Sequence, residues 1–322
     1  PGSSFKPFIY SAGLEEGIMP STVVSDSELV FDSSVTGGKP WSPKNYDGRF
    51  GPPLTVRQAL AKSRNMVSIR ILQSVGTQKT QDWVGRFGFP ADRTPPYLTM
   101  ALGANSTTPL EMAVGMSVFA NGGHGVSPYV ISMIKDQRGN VLSEVQPAEL
   151  TEQRRVIPAR NAFIMNSLLN EVTTTGTAAK ASGQLGRRDL FGKTGTTNDS
   201  KDAWFAGYQP TRTAVVWMGF DNPRNLGDRE TGGGLSLPIW IDYMKVALKG
   251  VPLAKAPNPP EGVTRQGDWV YTEYAGGRGI ARIGVASNYS AAPAARRNGG
   301  SDSAPPPADN VGAHSTDPFG GN

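Results

Sequence analysis

The sequence predicts an α+β fold, in which an antiparallel sheet is flanked by helices and joined to a mostly helical part. Helical spacing and helix caps dominate the chain up to about residue 185. Three short segments rich in aromatic and β-branched residues follow, and they are typical of an antiparallel meander. A last helix, predicted over 237–250, would pack back on that sheet. The three strand segments are DLFGKTGTT, DAWFAGYQP and TAVVWMGFD.

These observations predict one folded domain over residues 1–284, with a helical part over about 1–185 and a sheet part over about 186–250. Residues 285–322 hold few large apolar side chains among many Gly, Pro, Ala and Ser. A segment of that composition cannot bury enough apolar surface to offset its ordering entropy, so we expect a disordered tail.

The first predicted element is a helix over 3–14, since Phe5, Ile9 and Tyr10 recur at helical spacing. The next segment, 15–53, holds many Gly, Pro, Ser and Asp. We expect a long irregular loop or lid there rather than packed elements.

Two consecutive helices follow. Thr55 is a good helix cap and predicts a helix over about 56–62, and a second helix is predicted over about 66–75. The tripeptide Ser63-Arg64-Asn65 would then lie at the junction between them.

Four more elements complete the helical part. A helix is predicted over about 77–87, and another in the segment STTPLEMAVGMSVFANGG from Ser106, which has a capping hydroxyl, Pro109 in the first turn and glycines at the stop. A hairpin is predicted around 136–140, and Pro158 opens a helix that reaches about residue 173.

The composition excludes several classes of function. There is no cysteine, and the only histidines are His124 and His314, so a Ser-His-Asp triad, a thiol nucleophile and a Cys- or His-based metal site are excluded, and we expect no cofactor. The net charge of +5 is spread thinly with no basic run, so we expect no nucleic-acid partner. No apolar stretch reaches the length of about 18 residues that a membrane span needs.

Ser3 and Lys6 are a candidate nucleophile and base. The pattern Ser-x-x-Lys alone is weak, because it arises by chance about once in 300 residues, and Ser132-Met133-Ile134-Lys135 also matches it. That second copy falls in a predicted strand, where side chains three apart point to opposite faces. Ser3 and Lys6 fall at a predicted helix start, where such side chains share a face.

Pro7 indicates where this helix begins. Proline costs about 3 kcal/mol inside a helix but is tolerated in the first turn, whose N–H groups have no intrahelical partner. The helix therefore begins at about Ser3. Free N–H groups and the positive end of the helix dipole would then lie beside the Ser3 hydroxyl, where they could stabilise an oxyanion.

A serine needs a base, and Lys6 can act as one only when it is neutral. Burial and a second cation both lower a lysine pKa, and Lys193 in FGKTGTT is a candidate second cation. On the predicted strand Thr194 and Thr196 face the same side, and Gly195 would let a substrate approach the strand edge closely.

The letters GKT at 192–194 also suggest a phosphate-binding loop. That motif needs a glycine at position 187, which is Arg187 here, and it needs a long helix after it rather than a short strand. A nucleotide-binding function is therefore disfavoured.

Three motifs in order are jointly specific: Ser3-x-x-Lys6, Ser63-x-Asn65 and Lys193-Thr194-Gly195. They resemble the penicillin-binding and serine β-lactamase superfamily. Longer segments are similar to the transpeptidase domain of bifunctional class A penicillin-binding proteins over about residues 1–250, with a weaker continuation to about 284. These segments are WSPKNYDG, LTVRQALAKSRN, MALGANSTTPLEMA, FANGG, GKTGTTNDSKDAWFAGYQP and TGGGLSLPIW.

The resemblance implies a β-lactamase/transpeptidase-like fold and a peptidoglycan D,D-transpeptidase. In that family the serine attacks the penultimate D-Ala carbonyl of a stem peptide, D-Ala leaves, and an amine of a neighbouring stem takes the acyl group. It implies that Ser3 is the nucleophile and Lys6 its general base. Ser63 would relay a proton toward the leaving nitrogen, and Asn65 would hold the substrate amide and help orient Lys6.

The resemblance also implies roles for the predicted strand. Lys193 would supply positive charge near the terminal carboxylate, to which Thr194 and Thr196 would donate hydrogen bonds beside Gly195. The backbone N–H groups of Ser3 and Thr196 would form the oxyanion hole.

Partners and location follow from the resemblance as expectations. The implied partners are peptidoglycan stem peptides on lipid-linked glycan strands, β-lactam antibiotics and regulators of cell-wall synthesis. The implied location is the inner membrane, with the catalytic domain on the periplasmic side and an anchor upstream of this chain, where a glycosyltransferase domain would also lie.

Members of the superfamily have a five-stranded sheet, and two of its strands precede the nucleophile helix. We therefore expect that this chain is a fragment lacking the N-terminal strands of the sheet. The last meander strand, about 213–219, would then have an exposed edge prone to aggregation.

Three other functions are weighed against transfer. A class A β-lactamase needs a Glu-x-x-Leu-Asn segment, which the sequence lacks. A D,D-carboxypeptidase and a non-catalytic penicillin-sensing domain remain alternatives, distinguished by turnover of a stem-peptide donor with and without an amine acceptor.

Overall fold

A buried helix lies at the centre of the fold in the computed structural model, which describes residues 1–36, 39–228 and 230–285. A 3₁₀ turn, Gly2–Phe5, leads into helix α1, Lys6–Glu15, with Pro7 in its first turn as predicted. Every residue of α1 up to Leu14 is buried, because other helices surround it. The helix thus buries all its sides rather than the one stripe that its spacing suggests.

The predicted meander is confirmed as a three-stranded antiparallel sheet in the order β5-β6-β7. Helices cover both faces of β6, which is buried at every residue. On one face Tyr208 donates a hydrogen bond to Asn166, and on the other Phe205 packs edge-on against Trp240. Along its other side, β7 has no strand paired with it among the described residues. The strands are β5 Phe191–Thr196, β6 Ala203–Gln209 and β7 Arg212–Met218.

The irregular loop expected over 15–53 is wrong in part, because two strands of a second sheet lie there or end just beyond it. This sheet has the order β10-β1-β2, with β1 antiparallel to β2 and parallel to β10. The strand β10 comes from more than 250 residues along the chain, so no local pattern could have revealed the pairing. The elements concerned are β1 Val23–Asp26, α2 Ser33–Thr36, β2 Gly51–Thr55 and β10 Arg282–Ile283.

The predicted helices are confirmed within a few residues. Thr55 caps α3 through a capping box with Gln58. The predicted capping hydroxyl of α6 is that of Thr108, because Thr108 and Glu111 bond each other's backbone in a second capping box. These helices are α3 Val56–Ala61, α4 Asn65–Val75, α5 Thr77–Gly85, α6 Pro109–Ala120, α7 Ala159–Thr174 and α9 Leu237–Ala247. A further helix, α8 Lys180–Leu185, was not predicted.

Two hairpins complete the described elements. The predicted hairpin near residues 136–140 is confirmed, and it is exposed along both strands. A second hairpin lies against the central helix, where Tyr271 donates a hydrogen bond to Glu15 at 2.7 Å. The strands are β3 Met133–Lys135, β4 Val141–Glu144, β8 Val263–Gln266 and β9 Asp268–Tyr271.

No helix in the described part of the chain has both the length and the apolar character needed to cross a bilayer. The described residues up to 285 fold as one unit. The disordered tail predicted for 285–322 lies, from residue 286 onward, outside the described residues.

Candidate active site

An open cleft of about 1200 Å³ lies where the start of α1, the junction of α3 and α4, and the strand β5 meet. Of the predicted site residues, Ser3, Ser63, Asn65, Thr194 and Thr196 line this cleft. The two predicted lysines are fully buried beside it, and their ammonium groups reach Ser63. The structure therefore brings the three sequence motifs together.

Ser3 lies on the 3₁₀ turn that precedes α1. It is the one residue of Gly2–Phe5 that is not buried, so the turn exposes this hydroxyl alone to the cleft. Its neighbours fix the turn, since Gly2 donates to the Gly103 carbonyl at 3.1 Å and the Ser4 hydroxyl donates to the Pro1 carbonyl at 2.7 Å.

The structure shows a packing reason for Gly195 in addition to the predicted one. A Cβ at Gly195 would lie 2.3 Å from the Pro1 carbonyl oxygen and 2.9 Å from Ser4 Oγ. Because a Cβ projects from the face of a strand, the face of β5 at this position is covered by the turn that carries Ser3. Glycine is required here because the turn packs directly on the strand.

The backbone N–H groups of Ser3 and Thr196 belong to two residues that line the cleft. Thr197 donates to the Asp202 carbonyl, and hydrogen-bonded pairs alternate along an antiparallel ladder. Thr196 therefore points its N–H away from β6, toward the edge where the Ser3 turn lies. Ser3 begins a helical turn, and its own N–H has no acceptor among the described residues.

Lys6 is held by two oxygen atoms that can only accept hydrogen bonds. Its Nζ donates to the Ser63 carbonyl and to Asn65 Oδ1, each at 2.7 Å, and Ser63 Oγ lies at 3.4 Å. The Ser3 hydroxyl is not among the partners of this amine in the structure. A neutral lysine uses both N–H groups on these two acceptors and keeps one lone pair, with which it can take a proton.

Both buried lysines have a lowered pKa. Burial lowers the pKa of Lys6 well below its ordinary value, and the nearby charges of Lys193 and Arg64 lower it further, while Asp26 raises it. Burial lowers the pKa of Lys193 to about 7. The predicted second cation therefore does lower the pKa of Lys6, although burial is the larger cause.

Ser63 connects the two lysines. It has a φ of 58°, in the left-handed region that is rare for residues other than glycine, at the sharp junction between α3 and α4. This conformation turns the Ser63 carbonyl and hydroxyl toward Lys6. Lys193 Nζ donates to the same hydroxyl at 2.8 Å.

The two threonines of β5 line the cleft as the strand alternation predicts. The Thr194 hydroxyl lies 2.8 Å from the Thr177 hydroxyl and 3.5 Å from Lys193 Nζ. The Thr196 hydroxyl accepts a hydrogen bond from the Gly232 N–H at 3.1 Å, which leaves its proton available to a ligand.

Sequence reasoning missed a group of residues behind Asn65. Asp26 and Arg64 form a salt bridge of 2.7 Å in which the carboxylate is completely buried, and Asn45 bonds the same carboxylate. Asn45 lies in the segment WSPKNYDG, which was used only for the resemblance. The group joins separate segments of the chain, so no spacing within one element could have indicated it.

The phosphate-loop alternative is excluded by the fold. Gly192, Lys193 and Thr194 lie inside the strand β5, which pairs with β6 along its length and is followed by a three-residue 3₁₀ turn, Asn198–Ser200, rather than by a long helix. The ammonium of Lys193 is enclosed and bonded to Ser63 rather than presented by a loop.

Comparisons with known proteins agree on one family. The family model described as "Penicillin binding protein transpeptidase domain" matches residues 1–245. Penicillin-binding protein 1A of Neisseria flavescens is 48% identical over 272 residues, which are 84% of this chain and 34% of that protein. The chain therefore spans about a third of the length of this curated relative.

Solved structures show the same fold. The crystal structure of penicillin-binding protein 1A from Haemophilus influenzae matches with a TM-score of 0.76 and 36% identity, covering 82% of this chain and 44% of that one. The PonA1 protein from Mycobacterium tuberculosis in complex with penicillin V matches with a TM-score of 0.70 and 26% identity, covering 84% of this chain and 73% of that one. The family model matches residues 1–245, and the relative from Neisseria flavescens aligns with 84% of this chain. The chain therefore belongs to the penicillin-binding protein transpeptidase domain family.

Proposed function

We propose that the protein is a serine-type peptidoglycan D,D-transpeptidase, which β-lactams acylate at Ser3. The observation that carries this proposal is the arrangement around Lys6. A fully buried amine with a lowered pKa is fixed by two acceptors beside the turn that exposes the Ser3 hydroxyl. A serine nucleophile needs a base of this kind beside it. His124, the only histidine among the described residues, is hydrogen-bonded to the Asn121 carbonyl instead.

In the acylation step Lys6 accepts the proton of the Ser3 hydroxyl, and Ser3 Oγ bonds to the penultimate D-Ala carbonyl carbon. The carbonyl oxygen takes up the negative charge and accepts hydrogen bonds from the N–H groups of Ser3 and Thr196, whose outward direction supports this role. As the tetrahedral intermediate collapses, the carbon–nitrogen bond breaks, and the leaving nitrogen receives through Ser63 the proton that Lys6 took from Ser3, so that Lys6 is neutral again. D-Ala leaves and an ester on Ser3 remains.

In the transfer step an amine of a neighbouring stem peptide attacks the ester carbonyl. The amine loses a proton to Lys6, the new amide bond forms, and the Ser3–acyl bond breaks as Ser3 recovers its proton. No net proton is gained or lost over the cycle. Water in place of the amine would give hydrolysis, which is the carboxypeptidase reaction.

Substrate binding is assigned to the residues around the nucleophile. The hydroxyls of Thr194 and Thr196 would donate to the terminal carboxylate, with the charge of Lys193 beside them. Asn65 would hold the substrate amide, since its Nδ2 carries two protons and only one is used, on the Lys44 carbonyl at 2.7 Å.

The partners and location are proposed from the relatives. The relative from Mycobacterium tuberculosis is described in complex with penicillin V, which supports β-lactams as ligands of this cleft. We assign the donor and acceptor to peptidoglycan stem peptides on lipid-linked glycan strands, and we include regulators of cell-wall synthesis among the partners. The location is the periplasmic side of the inner membrane, within a longer protein that also carries a glycosyltransferase.

Labelling with a fluorescent penicillin tests the proposal, and the chain supplies its own matched control. Ser3→Ala abolishes the label, because no other residue forms the ester. Ser132→Ala leaves the label intact, because Ser132 lies on the exposed hairpin outside the cleft. Label that persists in the Ser3→Ala variant contradicts the assignment.

A stem-peptide donor ending in D-Ala-D-Ala separates the three related functions. A transpeptidase forms a cross-linked product when an amine acceptor is added. A carboxypeptidase releases D-Ala without using the acceptor, and a penicillin-sensing domain takes the label but turns over no donor.

A further inference from the structure

We propose that Asn45 is a positioning residue, which fixes the side-chain amide of Asn65 so that its carbonyl faces Lys6. The inference rests on the proposed function, since it concerns the base of that reaction. It assigns the segment WSPKNYDG a part in the chemistry in addition to forming a wall of the cleft.

The amide of Asn45 has only one orientation that satisfies its neighbours. Asn45 is 4% exposed, and its Nδ2 lies 3.1 Å from Asp26 Oδ1 and 2.8 Å from the Arg49 carbonyl oxygen. Both of these groups only accept hydrogen bonds, so the NH₂ end must face them. Asn45 Oδ1 is thereby directed to the backbone N–H of Asn65, at 2.7 Å.

This contact caps a helix from outside. Asn65 is the first residue of α4, and its N–H is one of the donors that a helix start leaves without an intrahelical partner. The preceding residue, Arg64, makes no side-chain cap. The oxygen of Asn45 therefore supplies, from another segment, the acceptor that holds the first turn in place.

The neighbouring residue fixes the Asn65 side chain. Asn65 Nδ2 donates to the Lys44 carbonyl at 2.7 Å, and because that carbonyl cannot donate, the amide cannot be reversed. Asn65 Oδ1 then points at Lys6 Nζ, 2.7 Å away. Two consecutive residues of one loop, Lys44 and Asn45, thus hold the backbone and the side chain of Asn65.

The loop itself is tied to β1 through a buried ion pair. The carboxylate of Asp26 is completely buried, bonds Asn45, and pairs with Arg64, whose guanidinium also bonds the Arg49 carbonyl at 2.7 Å. Breaking a buried pair of this kind is costly, so the loop has a rigid support. The charged groups near Lys6 that this arrangement brings together are Lys193, Arg64 and Asp26.

Loss of Asn45 should make Lys6 a weaker base, because it should lower the pKa of this lysine. A carbonyl acceptor stabilises the protonated form of a lysine more than the neutral form, so an Asn65 carbonyl that drifts away from Lys6 lowers the lysine pKa further. The acid limb of the acylation rate then moves to lower pH. A misplaced, weaker base should also slow acylation, by about 100-fold.

The test measures the rate of acylation by a fluorescent penicillin as a function of pH, expressed per labelled site. Asn45→Ala is expected to lower the plateau rate and to move the acid limb to lower pH. Asn45→Asp keeps an oxygen for the Asn65 N–H but sets a carboxylate against the Asp26 carboxylate and the Arg49 carbonyl, neither of which can donate, so its plateau rate is expected to stay as low as that of the alanine variant. If the alanine variant does not fold, Asn45→Ser replaces it, because the hydroxyl is too short to bridge Asp26 and Asn65.

Asn161→Ala is the matched control. Asn161 is also completely buried and fully bonded, but to Ser11 and Glu15 at the far end of α1. It is expected to lower the melting temperature and leave the acid limb where it is. If the Asn45 variants keep the parental acid limb of the pH–rate profile and the parental rate per labelled site, the positioning role is overturned. If the parent chain takes no label at Ser3, the proposed function is overturned instead.

Discussion

The hydroxyl oxygen of Ser63 lies 2.8 Å from the side-chain nitrogen of Lys193. Lys6 Nζ lies 3.4 Å from the same oxygen. A hydroxyl can accept from one partner while it donates to another, so Ser63 can pass a proton between two amines that are both closed to solvent. The residue thus couples the protonation of the two lysines.

Ser63→Ala is expected to slow acylation by a penicillin by about 10²- to 10⁴-fold, the range that a positioned proton-transfer group contributes. The rate is measured by stopped-flow with a fluorescent penicillin. Ser143→Ala, on the exposed hairpin, serves as the control and should react like the parent. A parental rate in Ser63→Ala would contradict a role in proton transfer.

The free energy of unfolding is expected to rise with pH above the pKa of Lys193. This pKa is about 7 in the folded chain against an ordinary value of 10.5, so between these values the unfolded state binds a proton that the folded state lacks. Each such proton adds about 1.4 kcal/mol per pH unit to stability. Below the lower value both states are protonated and this contribution to the slope vanishes.

Urea unfolding between about pH 8 and pH 9.5 measures that slope. Lys6 contributes with the same sign, because its folded pKa is also lowered. Lys193→Met should therefore reduce the slope by about one proton without removing it. Equal slopes in the variant and the parent would show that Lys193 keeps its proton in the folded chain.

Gly195→Ala is expected to destabilise the chain by about 1–3 kcal/mol and to abolish penicillin labelling. The added Cβ would collide with the Pro1 carbonyl, so the turn that carries Ser3 must move. Gly183→Ala is the control, because a Cβ there meets nothing within 4 Å. Since Gly183 lies inside α8, its replacement should raise the melting temperature and preserve labelling. Normal labelling by Gly195→Ala would argue against direct packing of the turn on β5.

Thr108→Ala is expected to lower the free energy of unfolding by about 1 kcal/mol, because it removes one half of a capping box. Ser106→Ala should change it little, since Ser106 is exposed and its side chain caps nothing. Chemical denaturation of the two variants compares them directly. Equal losses would contradict the assignment of Thr108 as the cap of α6.

The elements that the sequence predicted correctly carry strong local signals. Pro7 located the start of α1, Thr55 located the cap of α3, and Pro158 located the start of α7. The meander was recognised because β-branched and aromatic residues alternate with turn residues over a short stretch. In each case the determinant lies within one or two turns of the element.

The strands β1 and β2 were missed because their partner is remote. Val23 pairs with Arg282, and Gly51–Thr55 contains two prolines that argue locally against a strand. Thr55 was predicted as a cap, but not as the last residue of a strand. Pairing with distant segments outweighed the weak local preference of these residues for structure other than a strand.

The sequence by itself determined which residues can do chemistry here. A chain without cysteine and with two histidines leaves Ser3 and Lys6 at a helix start as the evident nucleophile and base, and the order of the three motifs points to one superfamily. Only the tertiary structure decided how that base is held. Lys6 is buried against Ser63 and Asn65, and Asn65 is fixed by a loop tied to Asp26, because a buried polar group needs partners wherever the fold brings them. Such partners come from segments far apart in the chain, and no periodicity within one segment records them.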